Sequence, residues 1–197
     1  NLIGNNLVKG CILGLDSSGT IVRANNIGLQ IVGSSDNVIG STVLSDRNTI
    51  SGNTTDGILI SQQTINNPNP NPPTIVAASR NIVINSYIGT DVTGRFDLGN
   101  TRFGVNVLGG DASVIGGATT TQRNVISGNN GGGVHIGTVA ATNNRIIGNY
   151  IGMDATSVFP LGNGVSGGGG TAPGVWIEDS ANNSVGGTFE SNANGVL

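Results

Sequence analysis

The chain has 197 residues, of which 34 are glycine, only 10% are charged and 4% are aromatic. Glycine is frequent without the strict three-residue period of collagen, and the net charge of −3 argues against a nucleic-acid partner. No apolar run reaches membrane-spanning length, so we expect no membrane insertion. The apolar residues are mostly Val and Ile, whose β-branched side chains favour strands.

Two motifs recur along the chain, and they indicate a repeat architecture. The first, R-N-x-I-S-G-N, begins at Arg47 and again at Arg123. The second, Y-I-G-x-D-x-T, begins at Tyr87 and Tyr150, and a degraded copy begins at Ile12. We therefore expect a single domain, residues 1–197, that holds repeat copies at about 1–46, 47–122 and 123–197.

Each copy contains short segments in which two inward Val or Ile residues flank one outward residue, with Gly or Asn at the ends. This alternation predicts strands of three to five residues that are half-buried. The stretch from Asn124 to Asn144 predicts one turn of 20 residues, so the sequence favours an all-β solenoid with coils of about 20–25 residues.

The corner residues have a structural interpretation in such a solenoid. Asn side chains at equivalent corners can stack as an amide ladder, and the candidates are Asn48, Asn81, Asn124 and Asn144. Three arginines each precede one of these asparagines, and we interpret them as solvated corner residues and not as a binding patch: Arg47, Arg80 and Arg123.

The alternation also predicts which side chains form one continuous core: Ile50, Ile58, Ile60, Val105, Val107, Ile126, Val134, Ile136, Val175 and Ile177. We expect Ile126→Asp to unfold the chain because it would bury an unpaired carboxylate. His135→Asp should be nearly silent, because His135 is predicted to point outward.

Two insertions interrupt the repeat. The Pro- and Asn-rich segment at 66–73 lacks the donors and backbone angles of a strand, which predicts a polyproline-like surface loop. The Gly-rich segment at 162–170 predicts a flexible excursion.

The phrases N-x-I-S-G-N, Y-I-G-T-D-x-T-G, L-G-N and G-V-x-I, in that order, resemble the right-handed parallel β-helix repeats of large secreted or surface-displayed bacterial proteins. The coil pattern is also similar to the wider pectate-lyase-like superfamily. The resemblance covers nearly the whole chain outside the two insertions. It implies a structural or adhesive module, although the superfamily also includes polysaccharide lyases, epimerases and glycosidases.

Acidic residues offer two alternatives to a purely structural role. Asp91, Asp97 and Asp111 lie near Arg95 and Arg102 in sequence, and the β-helix lyases that the chain resembles hold calcium with acidic residues near an Arg or Lys. A glycosidase needs two converging carboxylates, and the only two glutamates, Glu178 and Glu190, identify no such pair. Calcium is the only cofactor that remains open as a structural ion, and its weak candidate ligands occupy the same place in each copy: Asp16, Asp91 and Asp154. The simpler interpretation is that each aspartate closes a turn.

His135 and Trp176 occupy the outward position of two G-V-x-I strands. His135 has no evident carboxylate or serine partner in the sequence, and no transition-metal site is apparent. Trp176 could stack on a sugar ring, cover a neighbouring subunit, or pack under the Gly-rich segment.

Neither end of the sequence resembles a capping element. We therefore expect head-to-tail self-association through Leu2 and Val196, or membership in a longer repeat protein. The resulting hypothesis is a non-enzymatic structural protein, secreted or at the cell surface, that forms a filament. The alternative is a carbohydrate-binding or polysaccharide-degrading module.

Overall fold

The computed structural model describes residues 4–68, 72–164 and 172–187. In this part of the chain the fold is all-β, and its single helical element is a 3-10 helix at Leu44–Asp46. The described ranges contain eighteen strands, β1 to β18, which form three parallel sheets and one antiparallel hairpin. No helix among the described residues is long and apolar enough to span a bilayer.

The first sheet has the order β1-β4-β9-β12-β15-β18. Its strands are Leu7–Val8, Val38–Ile39, Ile82–Val83, Val114–Gly116, Arg145–Ile147 and Ser184–Val185. The second sheet has the order β2-β5-β10-β13-β16. Its strands are Ile12–Leu13, Asn48–Ile50, Ser86–Ile88, Val125–Ile126 and Tyr150–Ile151. The third sheet has the order β3-β6-β11-β14-β17. Its strands are Leu29–Val32, Ile58–Ser61, Phe103–Leu108, Gly132–Gly137 and Val175–Ile177.

Consecutive strands enter the first, second and third sheets in strict rotation, with only the hairpin set apart. Residues that pair within a sheet are separated by 25 positions between Val125 and Tyr150, and by 47 between Ile58 and Val105. The predicted repeat of about 20–25 residues is therefore too short. Asn124 and Asn144 precede strands of different sheets, so the 20 residues between them do not correspond to one repeat.

The core is formed by the inward Val and Ile side chains of all three sheets, which make one cluster. Eight of the ten predicted core residues are buried: Ile50, Ile58, Ile60, Val105, Val107, Ile126, Val134 and Ile136. Val175 is partly buried against the cluster, whereas Ile177 is 40% exposed, so its prediction was wrong. Ile177 lies in β17, which pairs on one side only among the described residues.

Asparagines form ladders at three corners rather than the single predicted one. The first runs through Asn6, Asn37, Asn81, Ser113, Asn144 and Asn183. The second links Cys11 to Asn48 and connects Ser86, Asn124 and Asn149. The third runs through Asn25, Asn53, Asn100, Asn129 and Asn163. The predicted members thus belong to two different corners.

The Pro-rich insertion joins two antiparallel strands, β7 at Gln63–Ile65 and β8 at Thr74–Val76. This hairpin was not predicted. Residues 69–71 of the insertion lie outside the described residues, as do residues 165–170 of the Gly-rich insertion.

Candidate functional site

A row of side chains crosses the outer face of the third sheet. Leu59, Asn106, His135 and Trp176 are aligned by the register of β6, β11, β14 and β17. The flanking Val and Ile side chains of β6, β11 and β14 belong to the core, and Val175 packs against it, so the alternation of the strands turns these four side chains away from the core. The structure therefore brings together His135 and Trp176, the two outward residues that the sequence singled out.

A chain of hydrogen bonds runs through this row. Asn106 Nδ2 donates to Asp56 Oδ2 at 2.9 Å, and His135 Nδ1 lies 2.8 Å from Asn106 Oδ1. His135 Nε2 lies 3.1 Å from Glu178 Oε1. An ionised carboxylate only accepts hydrogen bonds, which fixes the amide of Asn106 with its oxygen towards the histidine. His135 Nδ1 is then the donor, and its Nε2 faces the carboxylate of Glu178.

Aromatic rings enclose the histidine. Phe103 stacks on His135 with ring centroids 4.6 Å apart, and the Trp176 ring is 5.1 Å from His135 and 6.0 Å from Phe103. The guanidinium carbon of Arg102 lies 5.5 Å from the Phe103 ring, and Arg102 Nη1 is 3.6 Å from Asp56 Oδ2. These side chains form a packed cluster, and Trp176 at its edge is 42% exposed to solvent.

The surroundings of His135 differ from those that the sequence predicted. The side chain lies on the outer face as expected, but it is only 5% exposed and has partners on both ring nitrogens. Sequence reasoning also missed Asp56, Phe103, Asn106 and the role of Glu178. Asn106, Phe103 and Asp56 precede His135 by 29, 32 and 79 residues, and Glu178 follows it by 43. Only the pairing of strands within the sheet brings them together. A local pattern carries no signal for such contacts.

The three candidate calcium ligands lie in equivalent turns, where their carboxylates already accept hydrogen bonds. Asp91 Oδ1 accepts from Thr93 Oγ1 and from the N–H groups of Arg95 and Phe96. Asp16 and Asp154 accept the corresponding bonds in their own turns. Burial alone would raise the pKa of Asp91, but these hydrogen bonds together lower it below its ordinary value of 3.8. The simpler interpretation, an aspartate that closes a turn, matches this geometry.

The sequence-adjacent acidic residues do not converge. Asp97 Oδ1 accepts from the N–H of Gly99, whereas Asp111 Oδ1 accepts from Thr142 and Asn143. Arg102 pairs with Asp56 rather than with either of them. Within residues 4–68, 72–164 and 172–187, no group of three His, Cys, Asp or Glu side chains is arranged to hold a metal ion.

Leu2 and Val196, the predicted contact residues at the two ends, lie outside the described residues. No protein-family model matches the chain, and comparisons with curated proteins and with solved structures give no match either. The outer-face cluster can offer a ligand an exposed indole beside a carboxylate, while its histidine is held too deeply to reach a bound molecule without movement.

Proposed function

We propose that the chain is a right-handed parallel β-helix, a β-solenoid, and that it serves as a non-enzymatic structural module of a secreted or surface-displayed protein. The observation that carries this proposal is the strict rotation of strands among three parallel sheets. Each circuit of three strands lays its core residues over those of the preceding circuit, so the module can lengthen by adding circuits. The motifs that resemble bacterial surface repeats support the same assignment.

The two ends of the stack support a role in assembly. Strands β3 and β17 each pair on one side only among the described residues. A hollow of about 350 Å³ beside β3 is lined by Val8, Leu29, Ile31 and Ile39, among others. At the opposite end, a hollow of about 140 Å³ is lined by Ile146, Ile151 and Val185. Unpaired strand edges next to apolar hollows favour the addition of further strands.

We propose that a second copy occupies each end, head to tail. All strands within a sheet run in the same direction, so the β17 end of one copy can continue into the β3 end of the next. Such a contact does not close on itself and therefore produces a filament.

Sedimentation at increasing protein concentration, together with electron microscopy, tests this assembly. Val32→Lys places a charge on the edge strand β3 and should shift the protein towards monomers. Val139→Lys is the matched control, because Val139 is 82% exposed and lies in the turn after β14. Monomers of the unmodified protein at every concentration would contradict the proposal, and so would equal effects of the two lysines.

A carbohydrate-binding role is the second candidate, and the exposed Trp176 beside Glu178 favours it. An indole face can stack on a sugar ring while a neighbouring carboxylate accepts hydrogen bonds from hydroxyl groups. Trp176 is the only tryptophan, so its fluorescence would report binding directly. A panel of neutral glycans should change the emission of the unmodified protein, and Glu178→Gln should weaken that response. Release of shorter saccharides from a polysaccharide that is incubated with the unmodified protein would instead indicate a polysaccharide-degrading enzyme.

A further inference from the structure

The outer face of the second sheet carries an alternating series of arginine and tyrosine. The pairing of β5, β10, β13 and β16 places Tyr87 and Tyr150 at equivalent positions on strands that are two apart. Arg47 immediately precedes β5 and Arg123 lies just before β13, so the two arginines also stand two strands apart. The repeated motifs R-N-x-I-S-G-N and Y-I-G-x-D-x-T supply these four residues.

The same contact is formed twice. The guanidinium carbon of Arg47 lies 4.2 Å from the centre of the Tyr87 ring, and Nη1 donates to the Tyr87 hydroxyl at 2.8 Å. Arg123 lies 4.2 Å from the Tyr150 ring, and its Nη1 donates to that hydroxyl at 2.8 Å. The Nε of Arg47 donates to Asn85, and that of Arg123 donates to the carbonyl oxygen of Gly148. Both guanidinium groups are therefore held in a fixed orientation by contacts that the interpretation of Arg47 and Arg123 as solvated corner residues did not include.

Neither guanidinium has a carboxylate partner in the described part of the chain. The ion pairs there involve Lys9, Arg80, Arg102 and His135. Asp46, next to Arg47 in sequence, is occupied by Lys9 and Ser41. Arg80, the third predicted corner arginine, does form an ion pair, with Asp36. It precedes a strand of the first sheet.

Arg47, Tyr87, Arg123 and Tyr150 line a groove of about 230 Å³, together with Thr120 and Leu44 among others. Each arginine retains N–H groups beyond those already engaged, because a guanidinium carries five. Each tyrosine hydroxyl accepts from an arginine, which leaves its own O–H available to donate. The groove thus combines two fixed positive charges with hydroxyl donors, and no carboxylate is among its lining residues.

We propose that this groove binds the carboxylate or sulfate groups of an anionic saccharide chain. The faces of both tyrosine rings are partly covered by guanidinium groups, which disfavours stacking of a neutral sugar. The groove crosses the face of a sheet whose backbone groups are engaged within the sheet, so a peptide cannot add to it as a strand. Equivalent positions two strands apart are separated by roughly 10 Å, and this regular spacing suits a polymer with regularly repeated charges.

Titration calorimetry with three probes of shared backbone tests the proposal: dextran sulfate, carboxymethyl-dextran and unmodified dextran. Either or both of the anionic polymers should bind, and the preferred one identifies sulfate or carboxylate as the recognised group. Neutral dextran should not bind at this groove. Affinity should fall as salt is raised, because both arginines are partly accessible to solvent.

The variants Arg47→Gln and Arg123→Gln should each weaken binding about tenfold or more, as expected for loss of hydrogen bonds from a charged donor. Arg80→Gln is the matched control, because it removes the same charge from a different sheet and should leave the affinity unchanged. Tyr87→Phe retains the ring but removes one O–H donor, and it should weaken binding less than the loss of an arginine. Melting curves recorded beside the titrations verify that each variant is folded.

Three outcomes would overturn the proposal. The first is that neither anionic dextran binds. The second is that Arg80→Gln weakens binding as much as Arg47→Gln, which would indicate attraction by overall charge only. The third is that polyglutamate binds as tightly as the anionic dextrans, which would make the groove a general polyanion site rather than a saccharide site.

Discussion

At the scale of single residues, His135 belongs to a chain of hydrogen bonds that links four side chains. Its ring nitrogens contact Asn106 and Glu178, while Phe103 covers one face of the ring. Asn106 in turn depends on the buried carboxylate of Asp56. A buried polar group that loses its partner costs about 1–3 kcal/mol, so each member of this chain affects the stability of the others.

We predict that His135→Asp destabilises the protein by about 2 kcal/mol or more, because it places a carboxylate beside the carbonyl oxygen of Asn106 and beside Glu178. Gln30→Asp is the control, since Gln30 stands in the same outer row but is exposed. Urea unfolding followed by circular dichroism compares the two variants. Equal midpoints would show that the buried contacts of His135 contribute nothing to folding.

At the scale of elements, the aspartate turns are built alike and stack on one another. Isolated bridges between Leu15 and Val22 and between Thr90 and Asp97 close two of them, and the third is closed between Met153 and Pro160. The N–H of Val92 donates to the first turn, at Gly19, and the N–H of Ala155 donates to the second, at Gly94. Gly89 begins the middle turn with a φ of 94°, and a Cβ there would lie 2.2 Å from the carbonyl oxygen of Ser127.

The aspartates of these turns should make the protein sensitive to acid. The pKa values of Asp16, Asp91 and Asp154 are all lowered from 3.8 in the folded state. A lowered pKa contributes stability that is fully present well above pH 3.8 and is lost as the pH falls through the folded-state pKa. We predict that the melting temperature falls as the pH is taken below 3.8, and that Asp91→Ala reduces this dependence. An unchanged slope in the Asp91→Ala variant would contradict the prediction.

At the scale of the whole molecule, one apolar core runs through all three sheets. Ile126 is fully buried and pairs with Ile88 and Ile151 on the neighbouring strands. A carboxylate at this position has no partner and would interrupt the core between neighbouring strands.

We predict that Ile126→Asp either abolishes the cooperative unfolding transition or lowers the free energy of unfolding by several kcal/mol. That is roughly the cost of a buried, unpaired charge. Val158→Asp introduces the same group at a residue that is 69% exposed and should have little effect. Differential scanning calorimetry distinguishes the two. A normal transition in the Ile126→Asp protein would mean that the core is not continuous at this point.

Local sequence determined which residues form strands and which side of each strand faces inward. The period-two alternation of Val and Ile is a local signal, and so are the Gly and Asn residues that end each strand; both led to an all-β fold and to most of the core. The aspartate turns could also be predicted from the sequence, because the hydrogen bonds that close each turn join residues at most five positions apart.

Tertiary structure alone decided which strands become neighbours and which side chains therefore meet. Paired residues are separated by variable lengths of connecting chain, as between Val125 and Tyr150 or between Ile58 and Val105, so no fixed period locates them. This is why the asparagines were assigned to one ladder instead of three. For the same reason the sequence shows no partner for His135, Arg47 or Arg123: their contacts form only where strands distant in sequence pair within a sheet.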